Sequence, residues 1–252
     1  MLESTEKTRL ALFAEQIRVT AIRAIAGYGE GHVGGSLSIA DVLAVLYGRV
    51  MRVNPADPHM PDRDKFVLSK GHCGPALYAT LALKGYFPME TLATLNRFGT
   101  SLPSHCDRNR TPGVDMSTGS LGQGASAAAG IALADRLMGR NSRTYLIVGD
   151  GECNEGQVWE MAMFAAQQKL DNLLVFVDRN RQQLDGYTDD ICAMGDLADI
   201  FHSFGWNAQT VDGHAENQRY PDYRRDYGSA VHFPFGTGQT AGPCVADGDA
   251  HR

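Results

Sequence analysis

The feature that most constrains this chain is the stretch 143–186, RTYLIVGDGECNEGQVWEMAMFAAQQKLDNLLVFVDRNRQQLDG. Residues 144–148 form a short apolar, β-branched run that stops at Gly149-Asp150-Gly151. Residues 158–169 carry apolar side chains at helical spacing, Asn172 closes that helix, and 173–177 is a second apolar run. A strand–helix–strand unit of this length is a right-handed crossover between parallel strands. Both strands therefore end on one edge of the sheet, the edge where open α/β sheets bind ligands. Asp150 and Asn180 are expected side by side there, although they stand far apart in sequence. A carboxylate and an amide oxygen are hard donors that suit Mg²⁺ with a phosphate completing its shell. A lone Gly-Asp-Gly is more often a simple turn. Its conjunction with a crossover of the right size and with Asp178-Arg179-Asn180 is what points to a ligand.

The elements before this unit follow the same logic. Leu10, Ala14, Ile17, Ala21 and Ile25 recur at three- and four-residue steps and predict an amphipathic helix over 5–26. A glycine-dense loop, 27–35, breaks it and contains His32. Ser38 with Asp41 predicts an N-terminal cap for a helix over 39–50. Three prolines mark 54–64 as a surface connection. Phe66-Val67-Leu68 is a buried strand, followed by Ser69-Lys70-Gly71-His72 and a helix from Pro75 to about Gly85. The segment 101–118 is long and polar, holds His105, and is of a length that compact domains rarely keep unless it builds a site. STGSLGQG at 117–124 leads into an alanine-rich helix over 125–138, whose small residues allow close approach of a ligand or of another backbone. Beyond the central unit, a helix over 191–204 and a strand over 206–211 are expected.

Three histidines, His32, His72 and His105, fall in loops that should line the ligand edge. Each alone reads as a surface residue. Together they supply imidazoles that can bind phosphate or sugar hydroxyls and move protons near pH 7.

At 252 residues the chain can bury one large α/β core, and 43% hydrophobic residues with 28 glycines favour tight turns over disorder. A net charge of −6 speaks against nucleic-acid binding. The five cysteines are scattered, with no paired spacing, and the start of the chain is polar. Both fit a reduced, cytoplasmic protein with no secretory signal and no membrane span. Residues 215–252 contain no Leu, Ile or Met. They are expected to form a disordered tail after a domain over 1–214.

The GDG motif followed by Asn180 resembles the thiamin-diphosphate enzymes, and the wider text resembles transketolase. GHVGGSLS around His32, LSKGHCGPALYA around His72 and the His105 loop are similar to transketolase segments that meet cofactor and sugar. The resemblance covers roughly residues 5–214 and implies a three-layer α/β fold with a mainly parallel sheet, binding thiamin diphosphate and Mg²⁺. It implies Asp150, Asn180 and the Gln182 carbonyl as metal ligands, His72, Asn180 and the Gly151 amide as diphosphate contacts, and His32 and His105 facing the sugar. Ser120, Leu121 and Gly122 would position the aminopyrimidine, and Glu155 would stand near the cofactor at a contact between chains. The family activates the aminopyrimidine with a glutamate from a second domain that these residues do not contain. The resemblance is therefore to the N-terminal subunit of a split transketolase. Such a subunit pairs with a C-terminal subunit in a hetero-oligomer and transfers a two-carbon ketol group between sugar phosphates. A thiamin-dependent 2-oxo acid dehydrogenase component and a truncated, non-catalytic relative that binds a partner are the alternatives. The tail lacks the helix, strand and lysine–glycine loop with which the family continues after Val211–His214.

Overall fold

The computed structural model describes residues 4–184, 186–211 and 213, together with the backbone of strand 230–232. Three parallel strands form the centre: β1 (Lys65–Leu68), β2 (Thr144–Gly149) and β3 (Leu173–Asp178). In register, Leu68 pairs with Ile147, and Gly149 with Asp178. All three strands therefore deliver their following loops to the same edge.

The period-two alternation of these strands divides the core in two. Phe66, Leu68, Tyr145, Ile147 and Phe176 face one cluster, with α1 (Ser4–Tyr28), α3 (Ala40–Val45) and α4 (Gly74–Leu83). Val67, Leu146, Val148, Val175 and Val177 face the other, with α5 (Gln123–Leu137), α6 (Gly156–Gln167) and α8 (Leu197–Ser203). Helices on both faces of a parallel sheet give the expected three-layer α/β fold. The crossover through α6 joins β2 to β3, as the central stretch predicts.

Some elements depart from expectation. The second half of the glycine-dense loop folds as a short helix, α2 (Val33–Ser38), so Ser38 ends a helix instead of capping one. Its hydroxyl donates to Asp178, and Ile39 (φ −93°, ψ 1°) separates α2 from α3. Asp41 pairs with Arg18 of α1. The helix expected over 191–204 is two, α7 (Thr188–Cys192) and α8, divided by Gly195 in a positive-φ turn (φ 72°). Asp196 caps α8, accepting from the amides of Ala198 and Asp199. Residues 206–211 alternate buried and exposed at Trp206, Asn207 and Ala208 but have no strand partner among the described residues. Trp206 is held by α6 instead, its indole N–H donating to the Ala162 carbonyl at 2.9 Å.

The expectation of a disordered tail lies outside the described residues, except for β6 (Ala230–His232), which pairs antiparallel with β3. Pairing at an open sheet edge is made by backbone groups, so it needs none of the large aliphatic side chains that 215–252 lack.

Candidate active site

The site is built at the edge where the three parallel strands end. Asp150 follows β2 directly and is almost wholly buried. One carboxylate oxygen accepts the Gly151 N–H at 3.0 Å. The other accepts the Arg181 N–H at 2.7 Å and the Thr188 hydroxyl at 3.2 Å. Arg181 comes from the turn after β3, and Thr188 begins α7. Asp150 thus fastens the next loop to its own.

That loop is a small hairpin, β4 (Gln182–Gln183) against β5 (Gly186–Tyr187). Arg181 turns the chain with a positive φ of 61°, and the Asn180 side-chain oxygen accepts the Gln182 N–H at 2.9 Å. Asp150 and Asn180 therefore stand on adjoining loops, as expected from the crossover, and Gln182 is bonded to Asn180 in the same turn. Burial raises the Asp150 carboxyl above its ordinary range, against the pull of its N–H donors.

The three histidines meet although they come from different loops. The His32 and His72 rings lie 5.1 Å apart between centroids, and those of His32 and His105 lie 6.0 Å apart. His72 sits in a 3₁₀ turn (Gly71–Cys73) after β1, and His32 immediately precedes α2. His105 is carried by the long irregular segment, which Thr118 ties down. The Thr118 N–H donates to Cys106 at 3.0 Å, and its hydroxyl donates to Leu68 at the end of β1 at 2.7 Å.

Burial, then Lys70, then the other two histidines lower the His72 pKa to about 4, with Asp178 opposing; burial and His32 also lower that of His105. His72 is therefore neutral at pH 7. The consequence for stability has a definite sign. The folded value of about 4 lies below the ordinary 6.5, so the unfolded chain takes up this proton first. The His72 contribution is complete above 6.5 and is lost as pH falls towards 4. Urea unfolding of the cofactor-free chain between about pH 7.5 and about pH 4.5 should show a smaller acid loss for His72→Gln than for the unchanged chain. Equal losses would contradict this assignment.

The remaining predicted residues lie beside this cluster. Ser120 and Leu121 are exposed, and Gly122 is the left-handed residue (φ 83°) that precedes α5. A Cβ on Gly122 would come within 3.0 Å of the Glu155 Cβ, so the segment and this exposed acid adjoin.

Beneath them lie residues to which the sequence pattern gave no role of their own. Lys70 is 1% exposed and forms an ion pair with buried Asp178, which also accepts from Ser38. Burying this pair sets a fixed charge arrangement below His72. The available signal was a lysine and an aspartate at the ends of otherwise apolar strands, where a charge must find a partner. Glu152, 3% exposed, is likewise buried among the loops.

Among the described residues, no three His, Cys, Asp or Glu side chains gather as a metal centre. One carboxylate with an amide and a backbone carbonyl is instead the sparse oxygen set that Mg²⁺ uses when phosphate and water complete its shell. Among the described residues, no helix is long and apolar enough to cross a membrane.

Comparison with known proteins identifies the family and the fold. Residues 10–220 match the family described as transketolase, thiamine diphosphate binding domain. The chain is 57% identical over 201 residues to the 6-deoxy-6-sulfo-D-fructose transketolase subunit SqwG of Clostridium sp. (strain MSTE9), covering 80% of this chain and 73% of that one. It is 40% identical over 204 residues to an apulose-4-phosphate transketolase subunit of Phocaeicola vulgatus, covering 81% and 72%. Among solved structures, transketolase from Leishmania mexicana superposes with a TM-score of 0.79 at 30% identity, covering 87% of this chain but 35% of that one. The chain thus spans about a third of that longer transketolase and most of the two relatives named as subunits. With the family match running through most of its length, the chain belongs to the transketolase family as an N-terminal, thiamin diphosphate-binding subunit.

Proposed function

We propose that this chain is the cofactor-holding half of a two-subunit transketolase that moves a two-carbon ketol group from a ketose to an aldose. The observation that carries the reading is the meeting of His32, His72 and His105 at the strand edge where Asp150 and Asn180 also stand. Asp150, Asn180 and the Gln182 carbonyl are the proposed Mg²⁺ ligands. The diphosphate would be held through that ion, the Gly151 amide, Asn180 and His72. Ser120, Leu121 and Gly122 would hold the aminopyrimidine, with Glu155 beside them at the contact with the partner. The chemistry that thiamin diphosphate supplies when bound is carbanion addition to a carbonyl. The protein's own part is to orient the sugar and manage protons. His32 and His105 would meet the sugar hydroxyls, and neutral His72 would donate a hydrogen bond without adding charge.

The substrate class is an anionic sugar, phosphate or sulfonate, a reading supported by the substrates named for the two relatives. The partner would be a C-terminal subunit contributing the pyrimidine-side glutamate, and the compartment the cytoplasm. The experiment is product analysis of the assembled enzyme with Mg²⁺ and thiamin diphosphate. Its donors are a ketose phosphate, a 6-deoxy-6-sulfo ketose and a 2-oxo acid. Two-carbon transfer from either ketose is expected. Exclusive turnover of the 2-oxo acid would overturn the reading in favour of a dehydrogenase-type component.

A further inference from the structure

Glu152 is a carboxylate, but it takes no place in the proposed ligand set. One of its oxygens accepts from the Ser69 hydroxyl after β1 and from the Gly122 N–H at the start of α5, the latter at 2.8 Å. The other accepts the Gly149 N–H at the end of β2, at 3.0 Å. Three loops that are distant in sequence are thereby fastened to one buried side chain. Their closeness is tight enough to dictate residue type elsewhere. A Cβ on Gly124 would fall 2.6–2.7 Å from Ser69 atoms, backbone Cα included, so only glycine lets α5 start so close to β1.

We propose that Glu152 is a positioning residue that sets the Ser120–Gly122 segment in register with the metal turn at Gly149-Asp150-Gly151. The proposal rests on the functional reading above, because the two segments would meet opposite ends of the same cofactor. Glu152 itself would touch neither cofactor nor metal. A carboxylate suits the task because it is an acceptor only, and all three of its partners here are donors. An amide at this position turns one acceptor into a donor. In Glu152→Gln the NH₂ group must face either Gly149 or the Gly122–Ser69 pair, and one loop loses its tie.

The test measures hydrogen exchange in the full chain and thiamin diphosphate affinity in the assembly with its C-terminal subunit, with Mg²⁺ present throughout. In Glu152→Gln the Gly122 or Gly149 amide should exchange faster, and affinity should fall about tenfold, the scale typical of outer-shell partners. Ser69→Ala, which removes one donor and leaves both N–H bonds in place, should lower affinity less. A merely structural role would reduce resistance to urea but leave the affinity of the folded protein unchanged, and that result would overturn the proposal. Unchanged exchange and affinity in Glu152→Gln would overturn it as well. If the unmutated assembly fails to bind thiamin diphosphate, the functional reading falls first and this proposal with it. Binding by the unmutated assembly with no effect of Glu152→Gln refutes the positioning role alone.

Discussion

Replacing Asp150 with alanine should abolish Mg²⁺-dependent binding of thiamin diphosphate, lowering affinity by more than about 100-fold. Two losses act together. The first is the only side-chain carboxylate in the proposed oxygen set, and Mg²⁺, which requires near-octahedral oxygens, finds few substitutes. The second is the fastening of the hairpin, because the Arg181 N–H and the Thr188 hydroxyl both end on this carboxylate. Each buried donor left without an acceptor costs about 1–3 kcal/mol. The alanine variant should therefore unfold at lower urea as well as bind poorly.

Asp150→Asn separates the two losses. It keeps the shape of the side chain and one acceptor oxygen but removes the negative charge, so it should stay folded and still bind weakly. Calorimetric titration of the assembled enzyme, with and without Mg²⁺, measures the loss. Urea unfolding of the same samples reports the fold. An unchanged affinity in both variants would remove Asp150 from the metal site.

The legible part of this site was its local part. A β-branched run, a Gly-Asp-Gly stop, a helical period and a second apolar run define β2, α6 and β3 because each is a property of neighbouring residues. Right-handed crossover geometry then brings Asp150 and Asn180 to one edge without further information. The histidines were legible as a group only in part. His72 follows β1 to that edge, whereas His32 comes from the connection between α1 and α2 and His105 from a long irregular segment, and neither loop follows a strand.

What was not legible depends on contacts between distant segments. Ser38 and Asp41 have the spacing of a capping pair, yet Ser38 is drawn to Asp178 and Asp41 to Arg18. No local period announces either partner. The burial of Lys70 with Asp178, and of Glu152 among three loops, likewise arises only when the strands are side by side. Trp206 illustrates the opposite error. Its alternation with Asn207 and Ala208 is strand-like, but burial against α6 creates the same pattern without a ladder.

The second large effect concerns the chain without its partner. No residue described in the site can serve as the glutamate that activates the aminopyrimidine. Glu152 is committed to three donors, and Glu155 is exposed beside Gly122, where a partner would pack. General acid–base help of this kind contributes about 10²–10⁴-fold, so an intact metal site alone should give almost no turnover. Two of the relatives, which this chain matches over most of their length, are themselves named as subunits.

The direct measurement is ketose-to-aldose two-carbon transfer by the purified chain with Mg²⁺ and thiamin diphosphate, run with and without a C-terminal transketolase subunit. The rate without the partner is expected to be lower by about 10²–10⁴-fold and to recover when the partner is added. Full turnover by the single chain would contradict the account.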